Sequence, residues 1–264
     1  MGGYGVVSIS TDGGTSWSTK TPPGTSGSYS AITVDSAGAK IYVCNKDANI
    51  HASSDFGDTW TTQATARAWT GIAAAALGYQ VAACADGDQI YVSHNSGGTW
   101  SAKAASRSWT AIASSADGRV LAATVNGDQI YMSYDNGETW VPRSVSRAWK
   151  GIAMSPDGTK LIAGASGGDA GAYYSTDSGM TWKTLIGGGG SAFAALAISA
   201  DGGQVVMGQF SSYLWRQVSF PGKAYTSAGP SYHLGGGPCT AVELQYVGNN
   251  TFVPISYVGS LGFD

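Results

Sequence analysis

Three Arg-x-Trp triplets, Arg67/Trp69, Arg107/Trp109 and Arg147/Trp149, recur at a spacing of 40 residues. Each is followed about 20 residues on by a short polar segment. These segments carry Asp86, Asp88 and Gln89 after the first triplet, Asn126, Asp128 and Gln129 after the second, and Gly167–Asp169 after the third, with a related stretch at Asn45–Asn49. A guanidinium, a carboxylate or carboxamide and an indole side by side would suit a sugar. Planar donors and acceptors meet its hydroxyls, and the indole meets its apolar C–H face. Repetition would give several equal weak sites and hence avidity, toward a carbohydrate or a protein partner. The same residues also admit a purely architectural reading. The Trp would open a strand and pack into the next sheet, and the Arg would pair with Asp86, Asp88 or Asp128 as a ladder between repeats.

Other chemistries find little support. The histidines His51, His94 and His233 are scattered, so no metal cluster or Ser–His–Asp set emerges. No metal or other cofactor is expected. His51 occupies a slot filled by Tyr91 and Tyr131 in other repeats, which marks it as packing, and His94 lies in an exposed loop. Cys44, Cys84 and Cys239 are odd in number and widely spaced, unlike a disulfide framework. Cys44 and Cys84 share a repeat slot with Thr124 and Gly164, which marks them as small core residues. GGGG at 187–190 and GGG at 235–237 lack the strand–loop–helix setting of a phosphate loop and read as connectors. With a net charge of −3, the chain has no basic surplus for a nucleic-acid backbone. It also has no apolar run long enough to span a membrane, and its first residues do not read as a signal peptide.

The elements that must position these residues are set by a repeat. An eight-residue string appears as STDGGTSW from Ser10, SSDFGDTW from Ser53, SHNSGGTW from Ser93, SYDNGETW from Ser133 and STDSGMTW from Ser175, in steps of 43, 40, 40 and 42 residues. Around each lies a longer unit. From Arg107 it reads as strand A (SWTAIASS), a turn, strand B (VLAATV), the turn NGDQ, strand C (IYMS), the octapeptide turn, and strand D after Trp140. Short apolar runs broken by Gly, Asp and Asn are strands and turns, and four strands per ~40 residues is the period of a propeller blade. Charged residues are only 12% and glycine numbers 39 in 264 residues, a composition for many short strands and tight turns. Within the octapeptide the Asp is expected to accept an N–H two residues on, the Gly to adopt positive φ, and the Trp to turn inward between sheets. Those structural positions are Asp12/Trp17, Asp55/Trp60, Asn95/Trp100, Asp135/Trp140 and Asp177/Trp182.

These strings resemble Asp-boxes, or BNR repeats, known from sialidases, the sortilin family, xyloglucanases, photosystem assembly factors and many bacterial and phage proteins. The resemblance covers residues 8 to about 218. It implies an all-β propeller in which the Asp-boxes lie on the face away from any active site. The sialidase catalytic set is missing. There is no Arg-Ile-Pro signature, and Glu138 and Glu243, the two glutamates, sit in an Asp-box and a terminal hairpin. The acids Asp86, Asp88, Asp128 and Asp169 recur in register, as structure would, rather than as a carboxylate pair across a cleft.

The expected architecture is therefore a β-propeller of four-stranded blades, six in number with five as the alternative. GVVSIS and Trp17 supply strands C and D of a first blade. In the six-blade closure, the hairpin within Ala241–Tyr257 supplies its A and B strands and joins the two termini. Residues 1–218 carry the blades and 219–264 a connector and that hairpin. The expected role is a non-catalytic binding module. The alternatives are a structural or receptor-binding component of a phage virion or cell surface, assembling through the terminal hairpin, and a glycoside hydrolase. The charge-poor composition favours an extracellular, cell-surface or virion setting.

Overall fold

The computed structural model describes residues 6–23, 29–187, 192–209, 214–219, 234–236, 241–248, 251–258 and 261–263. Four complete antiparallel blades follow one another, each with A pairing B, B pairing C and C pairing D. Their A strands are Tyr29–Val34, Arg67–Ala74, Arg107–Ser114 and Arg147–Met154, and the blades are named below by those first residues. A C–D hairpin, Val7–Ile9 with Ser18–Lys20, precedes them. A three-stranded sheet, Phe193–Ile198, Gln204–Gln209 and Leu214–Ser219, follows. It lacks an Asp-box, as its sequence implies.

The B strands run further than their apolar stretches. Val81–Asp88 and Leu121–Asp128 continue through the expected turns because their ends pair with the next blade: Asp88 lies opposite Arg107, and Asp128 opposite Arg147. Lys46 and Ala48 pair in the same way with Ala68 and Arg67. One ladder thus links the four complete blades edge to edge and satisfies backbone groups that would otherwise be left bare at each seam.

The octapeptide turns form one hydrogen-bonded motif with different donors from those expected. Asp135 accepts from the N–H of Thr139, four residues on, at 2.9 Å, and from the hydroxyls of Thr139 (2.5 Å) and Ser133 (2.8 Å). Asp177 repeats the pattern with the Thr181 N–H at 2.9 Å. Ser133 Oγ in turn accepts the Gly137 N–H at 2.9 Å. Two successive residues are left-handed, with Phe56, Ser96, Asn136 and Ser178 each preceding the glycine. The glycine adopts that conformation readily, whereas its neighbour is held there by the hydrogen bonds on either side. These bonds favour the ionised Asp. The Ser16 hydroxyl and N–H bring Asp12 to about pKa 2, and the Thr59 hydroxyl and N–H do the same for Asp55. Because the folded pKa is depressed, the stabilisation is present above the unfolded value of 3.8 and is lost as pH falls towards 2. Thermal unfolding midpoints should therefore drop over that window, and Asp55→Asn should flatten the drop, since Asn95 already makes the same turn without a charge. An unchanged pH slope in that variant would remove the turn carboxylates as its source.

The A–B and Asp-box turns share a face, as the topology requires. Phe56, Ser96, Asn136 and Ser178 donate their N–H groups to Ala39, Tyr79, Arg119 and Thr159 of the A–B turns. The A–B turns are also clasped between blades: Ser36 N–H to Ala76 O (2.8 Å), Ala76 to Ala116 (2.8 Å) and Ala116 to Pro156 (2.7 Å). The core lies between sheets, with Cys44 and Cys84 fully buried within it. Burial pushes their thiols up to about 11 and about 12. His51 is buried too, and desolvation lowers its pKa.

Successive A strands touch, from Tyr29–Val34 round to Phe193–Ile198. Ala241–Gly248 pairs with Thr251–Val258 as a hairpin. The first of these strands lies against both Phe193–Ile198 and Tyr29–Val34, and the second against Val7–Ile9. Among the described residues no backbone ladder joins the hairpin to the N-terminal strands.

Candidate binding face

The Arg-x-Trp triplets open the A strands, on the face opposite the Asp-boxes. There the sequence's two readings of them separate. The indoles of Trp69, Trp109 and Trp149 are 0%, 0% and 1% exposed. Each meets a C-strand tyrosine edge-on, at 5.5, 5.3 and 5.2 Å from Tyr91, Tyr131 and Tyr173. Each also meets the Asp-box Trp of its own blade, at 6.5, 6.3 and 6.3 Å from Trp100, Trp140 and Trp182. The expectation that these indoles face a ligand is thus corrected. They begin strands that are bonded on both edges, which drives their rings into the core.

The Asp-box indoles, expected to turn inward and wedge the sheets, do so in part: Trp60, Trp100, Trp140 and Trp182 pack against the clusters between adjacent sheets but lie at their margin. Trp60, Trp100, Trp140 and Trp182 are only half-buried, and Trp17 is more exposed still. The cause is local for four of them. The ring N–H of Trp60 donates to the Gly57 carbonyl of its own turn at 2.9 Å, and Trp17, Trp140 and Trp182 donate in the same way to Gly14, Gly137 and Gly179. That bond folds each ring back over its turn and keeps it at the margin of the core. Trp60 also has no inner indole beneath it, because its blade opens with Tyr29. It packs instead beside Val7, Tyr29 and Val43.

What reaches the surface is the charged layer above the inner rings. Arg67, Arg107 and Arg147 lie over Tyr91, Tyr131 and Tyr173 at 4.1, 4.6 and 4.5 Å. They pair with Asp88, Asp128 (2.7 Å) and Asp169 (2.9 Å). Each pair lies within one blade, between the start of A and the B–C turn, rather than between blades as expected. The link between blades is the backbone: Asp88 faces Arg107 and Asp128 faces Arg147 in the ladder. Side-chain and main-chain contacts therefore alternate along the face from Arg67 to Asp169. Partial burial pushes the Asp88 carboxyl up. The Gln89 N–H (2.9 Å) and Arg67 outweigh it and hold the group below the usual carboxylate range. Burial raises the Tyr91 and Tyr131 phenols. Their hydroxyls donate to Asp88 (3.2 Å) and Asp128 (3.1 Å).

The remaining expected residues divide. Gln89 and Gln129 donate their amides to the Ala104 and Ser144 carbonyls of the D–A crossings, so they brace loops. Asp86 and Asn126 are exposed at the turn tips, and Asn126 accepts from Lys150 at 3.3 Å. The slot of Tyr91 and Tyr131 was read from sequence as packing, but its place beneath the arginines was not. The signal was present, because Tyr91, Tyr131 and Tyr173 each occupy the second or third place of strand C. Among the described residues no group of His, Cys, Asp and Glu could hold a metal ion, and no helix is long and apolar enough to cross a membrane.

Blades stitched by Asp-box turns, three of them with a stacked Arg–Asp pair on the opposite face, define an Asp-box β-propeller. Residues 173–184 match the BNR/Asp-box repeat. Residues 1–168 match the photosynthesis system II assembly factor YCF48 family, and the chain belongs to that family. Solved structures carry the fold further. YCF48 from Cyanidioschyzon merolae is 11% identical, with 92% of this chain and 86% of that one covered and a TM-score of 0.63. A structure described as YCF48 bound to D1 peptide is 13% identical, with 89% and 76% covered and a TM-score of 0.60. An ancestral GH74 enzyme is 16% identical at a TM-score of 0.61; 79% of this chain matches, spanning only 34% of that enzyme. No curated protein sequence matches the chain.

Proposed function

We propose that this chain is a non-catalytic propeller that binds a segment of a partner protein across the face bearing Arg67, Arg107 and Arg147. The observation that carries the reading is the periodic row of half-exposed Arg–Asp pairs over a rigid aromatic layer. Each guanidinium keeps donors beyond its paired Asp, each carboxylate keeps acceptor capacity, and the spacing is fixed by the ladder. An extended polypeptide presents backbone donors and acceptors at regular intervals, and such a row can meet them. The YCF48 structure with a D1 peptide supports a peptide ligand for this fold. A carbohydrate ligand loses its stacking platform now that the three indoles are buried.

The frame of this reading is a six-bladed ring, with Ala241–Gly248 and Thr251–Val258 as strands A and B beside Val7–Ile9 and Ser18–Lys20. The contacts of that hairpin with both ends of the row of A strands favour six over five.

An array of defined octapeptides, probed with the whole chain, tests the function. Arg67→Ala combined with Arg107→Ala should weaken the peptides bound by about tenfold or more, while the far-UV spectrum stays unchanged. Peptide binding indifferent to both arginines would move the site elsewhere, and no peptide bound would end the reading.

A further inference from the structure

One seam of the propeller is electrically unbalanced. At the four seams that follow Trp17, Trp60, Trp100 and Trp140, the third residue after the Trp and the sixth residue of the next Asp-box are equivalent positions. Lys20 pairs there with Asp58 at 2.5 Å, and Lys103 with Glu138 at 2.8 Å. Gln63 stands at the next box beside Gly97, whose neighbour Gly98 fills the sixth position, so neither side carries charge. In the seam between the Arg107 and Arg147 blades the basic member is Arg143, but the acid's place is taken by Met180, 51% exposed. Arg143 has neither an ion pair nor a side-chain hydrogen bond among the described residues, and its Nε is buried without a partner. Its guanidinium carbon stands 5.9 Å from the Tyr134 ring.

The same arginine lines a cleft of about 400 Å³ between the two blades. Ser144, Arg147 and Thr184 add donors to its wall, and the Tyr173 and Trp182 rings add apolar surface. The Nε of Arg147 is also buried without a partner, although its Nη1 holds Asp169. The terminal N–H groups of Arg143, which hold no acceptor among the described residues, are free to grip a ligand oxygen in charge-assisted hydrogen bonds.

We propose that this cleft binds a carboxylate carried on an apolar stem, presented by the partner polypeptide. The carboxylate gives Arg143, from the cleft side, the acid that Asp58 and Glu138 give Lys20 and Lys103 at the other seams, and the stem lies on the rings. A chain terminus and an acidic side chain supply the same group. The polypeptide source rests on the peptide-binding reading above; the carboxylate site itself does not.

Three small probes separate the possibilities by NMR titration of the whole chain: N-acetyl-phenylalanine (terminal carboxylate), N-acetyl-glutamate N-methylamide (side-chain carboxylate) and N-acetyl-phenylalaninamide (uncharged). At least one acid should bind, with shifts at Trp182 and Thr184, and the amide should bind about tenfold more weakly or not at all. Arg143→Gln should weaken the acid by about fivefold or more. Met180→Glu removes no lining residue but supplies the missing acid from within, so it should abolish binding while leaving the fold intact; Lys103→Gln, at the balanced seam, should change nothing. Neither acid binding, or acid binding that survives both Arg143→Gln and Met180→Glu, overturns the site. The peptide reading fails separately, if the acids bind here but no octapeptide with a free or amidated C-terminus binds the chain.

Discussion

Trp109→Ala is expected to lower the unfolding free energy by about 3–5 kcal/mol. The whole domain is held by about 5–15 kcal/mol, so this one change should bring the chain close to its folding limit. The indole is fully buried, sits edge-on against Tyr131 and donates its N–H to the Ala105 carbonyl at 3.3 Å. Its removal takes away apolar burial and also leaves a hole beneath Arg107, whose stack over Tyr131 depends on that packing. Trp140→Ala should cost less, about 1–2 kcal/mol, because that ring lies at the margin of the same cluster and remains partly in solvent. Guanidinium unfolding followed by circular dichroism compares the two. Equal losses would mean that the inner indoles are not the wedges between sheets.

Gly164→Ala is expected to be nearly as damaging, at about 3 kcal/mol. A Cβ at this position would lie 2.1 Å from the Phe193 carbonyl oxygen, and one at Gly151 would lie 2.1 Å from that of Ala194. Both obstacles are backbone, which cannot rotate aside as a side chain can. The sheets must separate along the seam, and the cluster of Ile162, Ala172, Phe193, Val205 and Met207 opens with them. Thr124 fills the slot equivalent to Gly164 one blade earlier, so Thr124→Ala is the mild counterpart. Matched denaturation curves that place Gly164→Ala within error of the parent would show that the two backbones can part without cost.

The fold was legible because its determinants repeat. Each octapeptide closes its turn through contacts within eight residues, so composition and spacing suffice to read it. The burial of the indoles was harder to read. An Arg-x-Trp at a strand start has the same composition whether its ring faces inward or outward, and the direction is fixed by ladder pairing with the preceding blade, a contact about 20 residues away in sequence. The octapeptide indoles misled in part, in the opposite sense: a Trp at a fixed place in every repeat reads as a wedge, yet at Trp60 the ring is spent on capping its own turn. The Arg–Asp pairs were anticipated, but between blades; the extension of strand B through its apparent turn places them within one. Arg143 was missed because its significance lies in an absence. Only when the seams are superposed does Met180 stand out where Asp58 and Glu138 stand elsewhere.

The clasp between A–B turns runs in one direction, each amide hydrogen pointing to the following blade. It reaches Pro156, whose ring nitrogen has no hydrogen to hand on. Past that point the long ladder has ended too, since Phe193–Ile198 belongs to a separate sheet. Among the described residues the boundary carries close backbone packing at Gly151 and Gly164 and the Lys160 ammonium on the Asp201 carbonyl at 2.8 Å. A cooperative structure breaks first where its units are least cross-linked. In hydrogen exchange, the strands Phe193–Ile198 and Gln204–Gln209 should thus open together, ahead of the four blades before them.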